Sequence, residues 1–416
     1  MALFRRIVWL LVAVAALAGA QSTFHLKDGD RVVFYGDSIT DQRLYTTFTE
    51  TYVVTRFPRL KAGFVHSGWG GDRVTGGGGG PVDLRLKRDV LAYKPTVMTI
   101  MLGMNDGSYR AFDAKIFETY SSGYEHIIRS VKSALPGIRI TVIQPSPYDD
   151  ATREPRFEGG YNAVLVRYGQ FVKELAGREG LNVADLNTPV VAALEKAKAA
   201  DPANAQKIIP DRVHPGASGH LLMAEALLKS WNAPATVTAV EIDAAGKRVV
   251  RAENTRVSEL RGESGLSWTQ VDRALPMPLD PKDPLLALAV RSSDFVQALN
   301  QQPLKVTGLT AASYALRIDG EAIGKFSSQQ LAEGINLAVL ATPMAKQAAS
   351  VHALTLKHNN IHFARWRQVQ APLADDRLAR KQAALAALDK LEDDVVAQQR
   401  AAAQPKPRRY ELMSDH

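Results

Sequence analysis

Residues 31–40 read Arg-Val-Val-Phe-Tyr-Gly-Asp-Ser-Ile-Thr, an apolar run that leads directly into a glycine and a serine. The run from Arg31 to Tyr35 predicts a buried strand. In an open α/β sheet, ligands bind at the carboxyl ends of the strands, so Ser38 would stand where a substrate binds. The motif is weak evidence by itself, because a turn or a helix cap also explains Gly-Asp-Ser.

The alternation of short apolar runs with helical patterns continues to about Trp231, which predicts βα units and a parallel sheet. The predicted strands are Arg31 to Tyr35, Gly63 to Ser67, Thr96 to Met101, Ile138 to Gln144 and Leu181 to Ala184. The predicted helices are Thr46 to Phe57, Val82 to Tyr93, Asp113 to Ala134, Tyr161 to Ala176, Pro189 to Ala199 and Ala217 to Trp231. We therefore expect a three-layer α/β/α domain with a five-stranded parallel sheet.

Three further motifs have residue types suited to acyl chemistry. The glycines of Gly68-Trp69-Gly70-Gly71-Asp72 let a backbone N–H approach a ligand closely. In Gly103-Met104-Asn105-Asp106, the amide of Asn105 is a donor for a developing oxyanion. In Asp211-Arg212-Val213-His214-Pro215, the three-residue step can return the carboxylate to one imidazole nitrogen and leave the other for a nucleophile. Taken singly, a tight turn, an Asx-turn and a structural histidine explain these motifs.

Together the four motifs resemble the SGNH, or GDSL, hydrolase family, in which blocks with Ser, Gly, Asn and His occur in this chain order. The resemblance covers about Arg31 to Trp231 and implies a flavodoxin-like fold and serine ester hydrolysis, with no cofactor and no metal. It implies that Ser38 is the nucleophile and that Asp211 and His214 complete the triad. The backbone N–H groups of Ser38 and Gly71 and the side chain of Asn105 would form the oxyanion hole.

Two positions depart from the family pattern. Ile39 replaces the usual Leu, a mild change, and His66 stands where the second block often has Asn. His66 would either perturb the hydrogen bonding beside the oxyanion hole or cap a loop, and the loop cap is the favoured interpretation.

The first twenty residues have the pattern of a secretory signal peptide. Arg5 and Arg6 precede an apolar run from Ile7 to Leu17, and Ala18-Gly19-Ala20 fits the small-x-small cleavage rule. The run is shorter than the ~20 residues that span a bilayer, which disfavours a retained membrane anchor. We expect cleavage near Gln21 and export to a periplasm or the extracellular space.

Composition narrows the function classes. With 416 residues, 46% hydrophobic and 23% charged, the chain is typical of folded globular proteins. It has 0 cysteines, which excludes disulfides, a thiolate nucleophile and a lipidated N-terminal cysteine. The formal net charge of +8 is dispersed, so no nucleic-acid partner is assigned. The oligomeric state stays open.

The pattern changes after Asn232-Ala233-Pro234, and we place a boundary near residue 234. The hydrolase domain would span residues 21–234 and a β-rich accessory domain residues 235–330. The predicted strands in the second stretch are Thr236 to Ile242, Arg248 to Leu260, Leu304 to Leu309 and Ser313 to Ile318, with a hairpin turn at Asp319-Gly320. Residues 331–416 would form a helical region, with helices around Gln329 to Lys357 and from Asp375 to Gln399, and a frayed tail from Ala401.

Three other features admit a structural or a functional interpretation. Gly76 to Gly80 lacks the Lys and Ser or Thr of a phosphate-binding loop, so we expect a mobile loop at the rim of the site. His358 to His362 lacks the Glu of a zinc protease helix, and its two Asn residues favour a turn without a metal. The third feature is a set of aromatic residues that would either stack on a sugar ring or form the wall of the cleft: Trp69, Tyr109 and Tyr148.

The sequence as a whole predicts an exported carboxylic-ester hydrolase that removes short acyl groups such as acetate from carbohydrate. A lipase, lysophospholipase or thioesterase acting on longer acyl chains is the alternative within the same family. A carbohydrate-binding or scaffolding protein with a degenerate esterase domain is an alternative of a different class. The intact motifs disfavour it for the first half, while residues 235–330 could still form a binding module.

Overall fold

The computed structural model describes residues 23–262, 265–280, 282–374 and 378–414, and the predicted signal peptide lies outside them. Within residues 23–238 the strands are β1 (Arg31–Gly36), β2 (Gly63–Gly68), β3 (Gly76–Gly77), β4 (Gly80–Pro81), β5 (Val97–Met101), β6 (Arg139–Gln144) and β7 (Asn182–Asp185). Five of them form one parallel sheet in the order β2-β1-β5-β6-β7, while β3 and β4 pair with each other. This order confirms the predicted flavodoxin-like sheet.

The helices of this part cover both faces of the sheet. They are α1 (Ser38–Asp41), α2 (Leu44–Arg56), α3 (Val82–Asp89), α4 (Ala114–Ala134), α5 (Gly160–Glu179), α6 (Thr188–Ala200), α7 (Pro202–Ala205) and α8 (Ala217–Ser230). Because parallel strands are covered on both sides, they read as continuous apolar runs. Val32 to Tyr35 of β1 and Val97 to Met101 of β5 are accordingly buried.

The remaining strands form two further sheets with a hydrophobic core of their own. They are β8 (Ala239–Asp243), β9 (Arg248–Glu253), β10 (Thr255–Gly262), β11 (Gly265–Asp272), β12 (Pro303–Thr307), β13 (Ser313–Ile318), β14 (Glu321–Ser327), β15 (Ile335–Asn336) and β16 (Arg408–Ser414). One sheet has the order β10-β11-β16-β13-β14 and the other β15-β12-β8-β9. The predicted hairpin joins β13 to β14, and its turn residues Asp319 and Gly320 both have positive φ.

The α-helices of the second half are α9 (Pro284–Ser292), α10 (Phe295–Leu299), α11 (Ser328–Glu333), α12 (Pro343–Phe363) and α13 (Lys381–Ala402). Several of them pack on the first half, while Leu331 of α11 belongs to the second hydrophobic core. Leu286 of α9, Phe295 of α10 and Val351 of α12 belong to the hydrophobic core of the first half. Residues beyond 234 therefore contribute to packing around the parallel sheet.

Three predictions for the second half were wrong. The predicted helix from Gln329 to Lys357 is interrupted by β15 and a 3₁₀ turn at Leu337–Val339. His358 to His362 lies within α12 and is not a turn, and its buried side chains bond Glu50 and Thr47 on α2 and Glu392 on α13. The tail does not fray at residues 408–414, because β16 pairs with β11 on one side and β13 on the other. Tyr410 and Leu412 of β16 are fully buried.

A buried polar cluster joins the C-terminal helices to the parallel-sheet layer. The carboxylate of Glu50 on α2 contacts His358 Nε2 at 2.7 Å and His66 Nε2 at 3.3 Å. Gln399 of α13 donates to the same carboxylate at 2.9 Å, and His358 Nδ1 lies 3.3 Å from Glu392. His66 is thus a member of β2 bound to Glu50 and does not cap a loop, so the favoured interpretation of His66 was wrong.

The charges in this cluster follow from burial and from the neighbouring groups. Burial raises the pKa of Glu50, but the adjacent His358 and His66 outweigh burial and lower that pKa to about 2. Burial lowers the pKa of His358, but Glu50 and Glu392 raise it to about 10. Burial lowers the pKa of His66 to about 4 despite Glu50. At neutral pH, a charged His358 therefore pairs with Glu50 while His66 is neutral.

Replacing Glu50→Gln should lower the free energy of unfolding by about 3 kcal/mol, because it leaves a buried imidazolium without its main partner. The contribution of Glu50 is present above its ordinary pKa of 4.5 and is lost as pH falls toward about 2. The contribution of His358 is present below its ordinary pKa of 6.5 and is lost as pH rises toward about 10. Urea unfolding monitored by circular dichroism should show the largest deficit between these ordinary pKa values.

Glu179→Gln is the matched control for this prediction. Glu179 pairs with Lys132 at 2.7 Å, but both side chains are 41% exposed, so the loss should be much smaller. Equal destabilisation by the two variants would refute the assignment of a strong buried ion pair to Glu50.

Candidate active site

Ser38 stands at the start of α1, directly above the end of β1. A Cβ atom at Gly36 would clash with the side chain of Thr40 and lie 2.7 Å from the carbonyl oxygen of Met101. Asp37 caps the helix by accepting a hydrogen bond from the Ile39 N–H at 3.0 Å. Because the first N–H groups of a helix have no partner within it, the N–H of Ser38 is available at the carboxyl edge of the sheet.

The structure brings Ser38, His214 and Asp211 together. His214 Nε2 lies 2.8 Å from Ser38 Oγ, and His214 Nδ1 lies 2.7 Å from Asp211 Oδ2. The second oxygen of Asp211 accepts the backbone N–H groups of Val213 at 2.9 Å and His214 at 2.7 Å. With the proton on Nδ1 facing the carboxylate, Nε2 is free to accept the proton of the serine hydroxyl.

The loop that holds His214 has a left-handed residue at its centre. Arg212 has φ of 74°, and its guanidinium donates to the Asp149 carbonyl at 3.2 Å and to the Asp150 carboxylate at 3.3 Å. Partial burial raises the pKa of Asp211, but hydrogen bonds from the His214 N–H, its ring and the Val213 N–H outweigh burial and lower that pKa. Asp211 is therefore held as a carboxylate.

The predicted oxyanion donors Gly71 and Asn105 lie in the turns that follow β2 and β5, and a hydrogen bond joins these two turns. Gly71 has φ of +77°, a conformation that favours glycine. Gly70 lies beside the nucleophile, because a Cβ atom on it would be 4.0 Å from Ser38 Cβ. The Asn105 amide donates to the Asp72 carbonyl at 3.0 Å, and its oxygen accepts the Tyr109 hydroxyl at 2.9 Å. Hydrogen bonds at both the nitrogen and the oxygen of the Asn105 amide thus fix its orientation.

One supporting residue of this site was missed by sequence analysis. Arg85 is completely buried and donates to Asp72 at 2.7 Å and to the Ser67 carbonyl at 2.9 Å. It also bonds Asp89, four residues further along α3. The only sequence signal for Arg85 was this i,i+4 pairing with Asp89, which is common on exposed helices.

The glycine run does not form the expected loose rim. Residues 76–81 form the β3–β4 hairpin, and a Cβ atom on Gly79 would lie 2.6 Å from both Trp69 and Arg85. Glycine is needed there because the hairpin packs closely on these side chains.

The three aromatic residues differ in their exposure to solvent. Tyr148 is buried as wall packing, Tyr109 is 41% exposed, and Trp69 is covered by Arg367.

Within the described residues, Glu50, His66 and His358 place three ligand-type atoms within 4.8 Å of one another. Both carboxylate oxygens already lie at hydrogen-bond distance from an imidazole. We therefore treat the cluster as the ion pair described above and derive no chemical step from it.

The candidate site is open to solvent. The side chains of His214 and Asp211 are 37% and 56% exposed. A cavity of about 560 Å³ lies instead beside the second hydrophobic core, where Ala244, Leu266 and Tyr314 line it. An open surface suits a large substrate better than an enclosed pocket does.

Replacing Asn105→Ala should lower kcat for ester hydrolysis by about 100 to 1000-fold, because it removes one oxyanion donor. The measurement is steady-state hydrolysis of a chromogenic acetyl ester. Asn204→Ala is the control, because the Asn204 side chain donates to Asp201 at 2.7 Å and accepts from Lys207 at 3.0 Å, and neither partner belongs to the four motifs. An unchanged kcat for Asn105→Ala would favour a purely structural Asx-turn.

The first half of the chain is similar to proteins of known family. Residues 34–222 match the model of the GDSL-like lipase/acylhydrolase family. The chain is 27% identical over 223 residues to an acetylxylan esterase of Geobacillus stearothermophilus, covering 49% of this chain and 94% of that protein. The crystal structure of an acetylxylan esterase from the same organism covers 50% of this chain and 96% of its own, at 24% identity and a TM-score of 0.41.

A further solved structure extends over nearly the whole chain. It is described as a gut microbial diltiazem-metabolizing enzyme, with a TM-score of 0.80 and 27% identity. It covers 95% of this chain and 100% of its own. The likeness therefore includes the sheets and helices beyond residue 222.

Proposed function

We propose that this chain, a carboxylic-ester hydrolase with an SGNH/GDSL domain, acts after export and removes short acyl groups, acetyl foremost, from carbohydrate. The family match and the acetylxylan esterase relative establish ester hydrolysis at the level of the family. The observation that carries the mechanism is the hydrogen-bonded series Ser38, His214 and Asp211, with contacts of 2.8 Å and 2.7 Å.

In the proposed mechanism, His214 accepts the proton of Ser38 as its Oγ attacks the ester carbonyl. Asp211 stabilises the imidazolium that forms. The alcohol leaves with the proton from His214, and the acyl group remains on Ser38. Water, deprotonated by His214, then attacks the acyl-enzyme and releases the carboxylic acid and the free serine.

The negative oxygen of each tetrahedral intermediate would be bound by the N–H groups of Ser38 and Gly71 and the amide of Asn105. The Asn105 side chain is held by the Asp72 carbonyl and the Tyr109 hydroxyl, and the two backbone N–H groups belong to the start of α1 and to the turn after β2, which supports their proposed role as fixed donors. Donors held in place in advance need no reorganisation as charge develops, which is why they lower the barrier effectively.

Three observations support an acetylated carbohydrate as substrate. The curated relative is an acetylxylan esterase. The candidate site is exposed at the surface, where a polymer can reach it. The exposed ring of Tyr109 stands beside Asn105 and offers a face on which a sugar can stack.

No helix within the described residues is both long and apolar enough to cross a membrane. The proposal of export rests on the sequence pattern of residues 1–20, with its basic start, apolar run and Ala-Gly-Ala site.

The test is hydrolysis of chromogenic esters from acetyl to long acyl chains, together with release of acetate from acetylated xylan. Wild-type protein should prefer acetyl, and Ser38→Ala should lower kcat by roughly 1000-fold or more in every reaction. Ser122→Ala, an exposed change on α4, is the matched control. Diltiazem belongs in the panel because the structure neighbour is described as metabolizing it.

The outcomes separate the alternatives. Preference for long acyl chains would replace the carbohydrate proposal with a lipid or thioester substrate. Equal activity of Ser38→Ala and wild type would refute Ser38 as nucleophile. Binding to xylan without acetate release would favour the carbohydrate-binding alternative.

A further inference from the structure

A segment outside the family match lies against the turn that carries an oxyanion donor. Residues Ala364–Gln370 form a π-helical stretch after α12, far beyond the matched residues 34–222. Such stretches are rare and occur often at functional sites. Trp366 anchors the segment, since it is buried and its Nε1–H donates to Asp89 at 2.6 Å.

The next residue, Arg367, lies on the indole of Trp69. The Arg367 Cζ atom is 3.1 Å from the centroid of the Trp69 ring, while Trp366 meets that ring edge-on at 5.6 Å. A planar guanidinium on an indole face gains both cation–π and stacking energy. Trp69 is the second residue of the motif that contains Gly71, and its backbone N–H donates to the Gly36 carbonyl at 3.0 Å.

Arg367 also approaches the carboxylate that holds the next residue of the turn. Its Nη2 atom lies 3.9 Å from Asp41 Oδ2, and that same oxygen accepts the Gly70 N–H at 3.2 Å. Burial raises the pKa of Asp41, and the charge of Arg367 opposes this. The guanidinium thus stacks on the Trp69 side chain and lies near Asp41, whose carboxylate holds Gly70 of the same turn.

We propose that Arg367 is a positioning residue for ester hydrolysis. It holds Trp69 and Asp41 so that the Gly70-Gly71 backbone presents its N–H to the developing oxyanion. In this role Arg367 acts through the turn, by its contacts with Trp69 and Asp41. This inference rests on the proposed function, and it gives Arg367 a role in the reaction at a position that the family match does not cover.

The expected effect is on kcat. A displaced oxyanion donor weakens binding of the transition state and leaves binding of a small acetyl ester almost unchanged. Misplacement of a reacting group by about 1 Å can cost about 100-fold in rate. Arg367→Ala should therefore lower kcat by about 10 to 100-fold, with KM within about threefold of wild type.

Arg367→Lys adds a second measurement on a conservatively altered protein. Lysine keeps the positive charge near Asp41 but loses the flat face that stacks on Trp69. Its kcat should lie between those of wild type and Arg367→Ala, about tenfold below wild type. If Arg367→Ala fails to fold, Arg367→Lys decides the question by itself, and a kcat within twofold of wild type overturns the proposal.

Arg365→Ala is the matched control from the same π-helical stretch. Arg365 pairs with Asp389 on α13 at 2.6 Å, so its loss tests the fit of the C-terminal helices without touching the turn. Its kcat should stay near that of wild type. An equal loss of kcat in Arg365→Ala, or a loss in Arg367→Ala confined to KM, overturns a positioning role.

Ser38→Ala, assayed beside these variants, distinguishes a failure of the Arg367 inference from a failure of the proposed function. If Ser38→Ala is inactive while both Arg367 variants equal wild type, this inference falls and the proposed function stands. If Ser38→Ala keeps wild-type activity, the proposed function falls and the inference falls with it.

Discussion

The geometry of the site depends on a steric constraint where the first helix meets the sheet. A Cβ atom at Gly36 would clash with Thr40, and one at Gly68 would overlap the backbone of Thr40 and Asp41. Two strand ends without side chains let α1 rest directly on the edge of the sheet. Ser38, the turn after β2 and the turn after β5 therefore meet within a small volume, and the loop before α8 brings His214 to them.

Residues after 222 make direct contacts with the elements that surround the nucleophile. The C-terminal helices supply His358 and Gln399 to the carboxylate of Glu50, which sits on the helix that follows α1. They also bring Arg367 to Trp69. Both contacts bind elements next to the nucleophile, so the packing of the second half and the shape of the site are coupled through α2 and the Gly68–Asp72 turn.

The sequence predicted the features that depend on neighbouring residues. Each motif follows a strand or precedes a helix, and the parallel-sheet rule then places Ser38, Asn105 and His214 at one edge. Prediction from the sequence failed for residues whose environment is set by partners far away in the chain. His358 is buried within α12 because Glu50, 308 residues earlier, pairs with its imidazolium. Arg85 was missed because nothing in the neighbouring sequence shows that it bonds Asp72 and the Ser67 carbonyl.

The position of β16 has a consequence for the order of folding. Residues 408–414 lie between β11 and β13, so before they arrive the sheet consists of two separate hairpins, β10–β11 and β13–β14. Isolated two-stranded hairpins are at best marginally stable in water. The five-stranded sheet therefore closes only when residues 408–414 have paired with both hairpins, and a chain truncated before residue 408 would expose unpaired strand edges to proteases and aggregation.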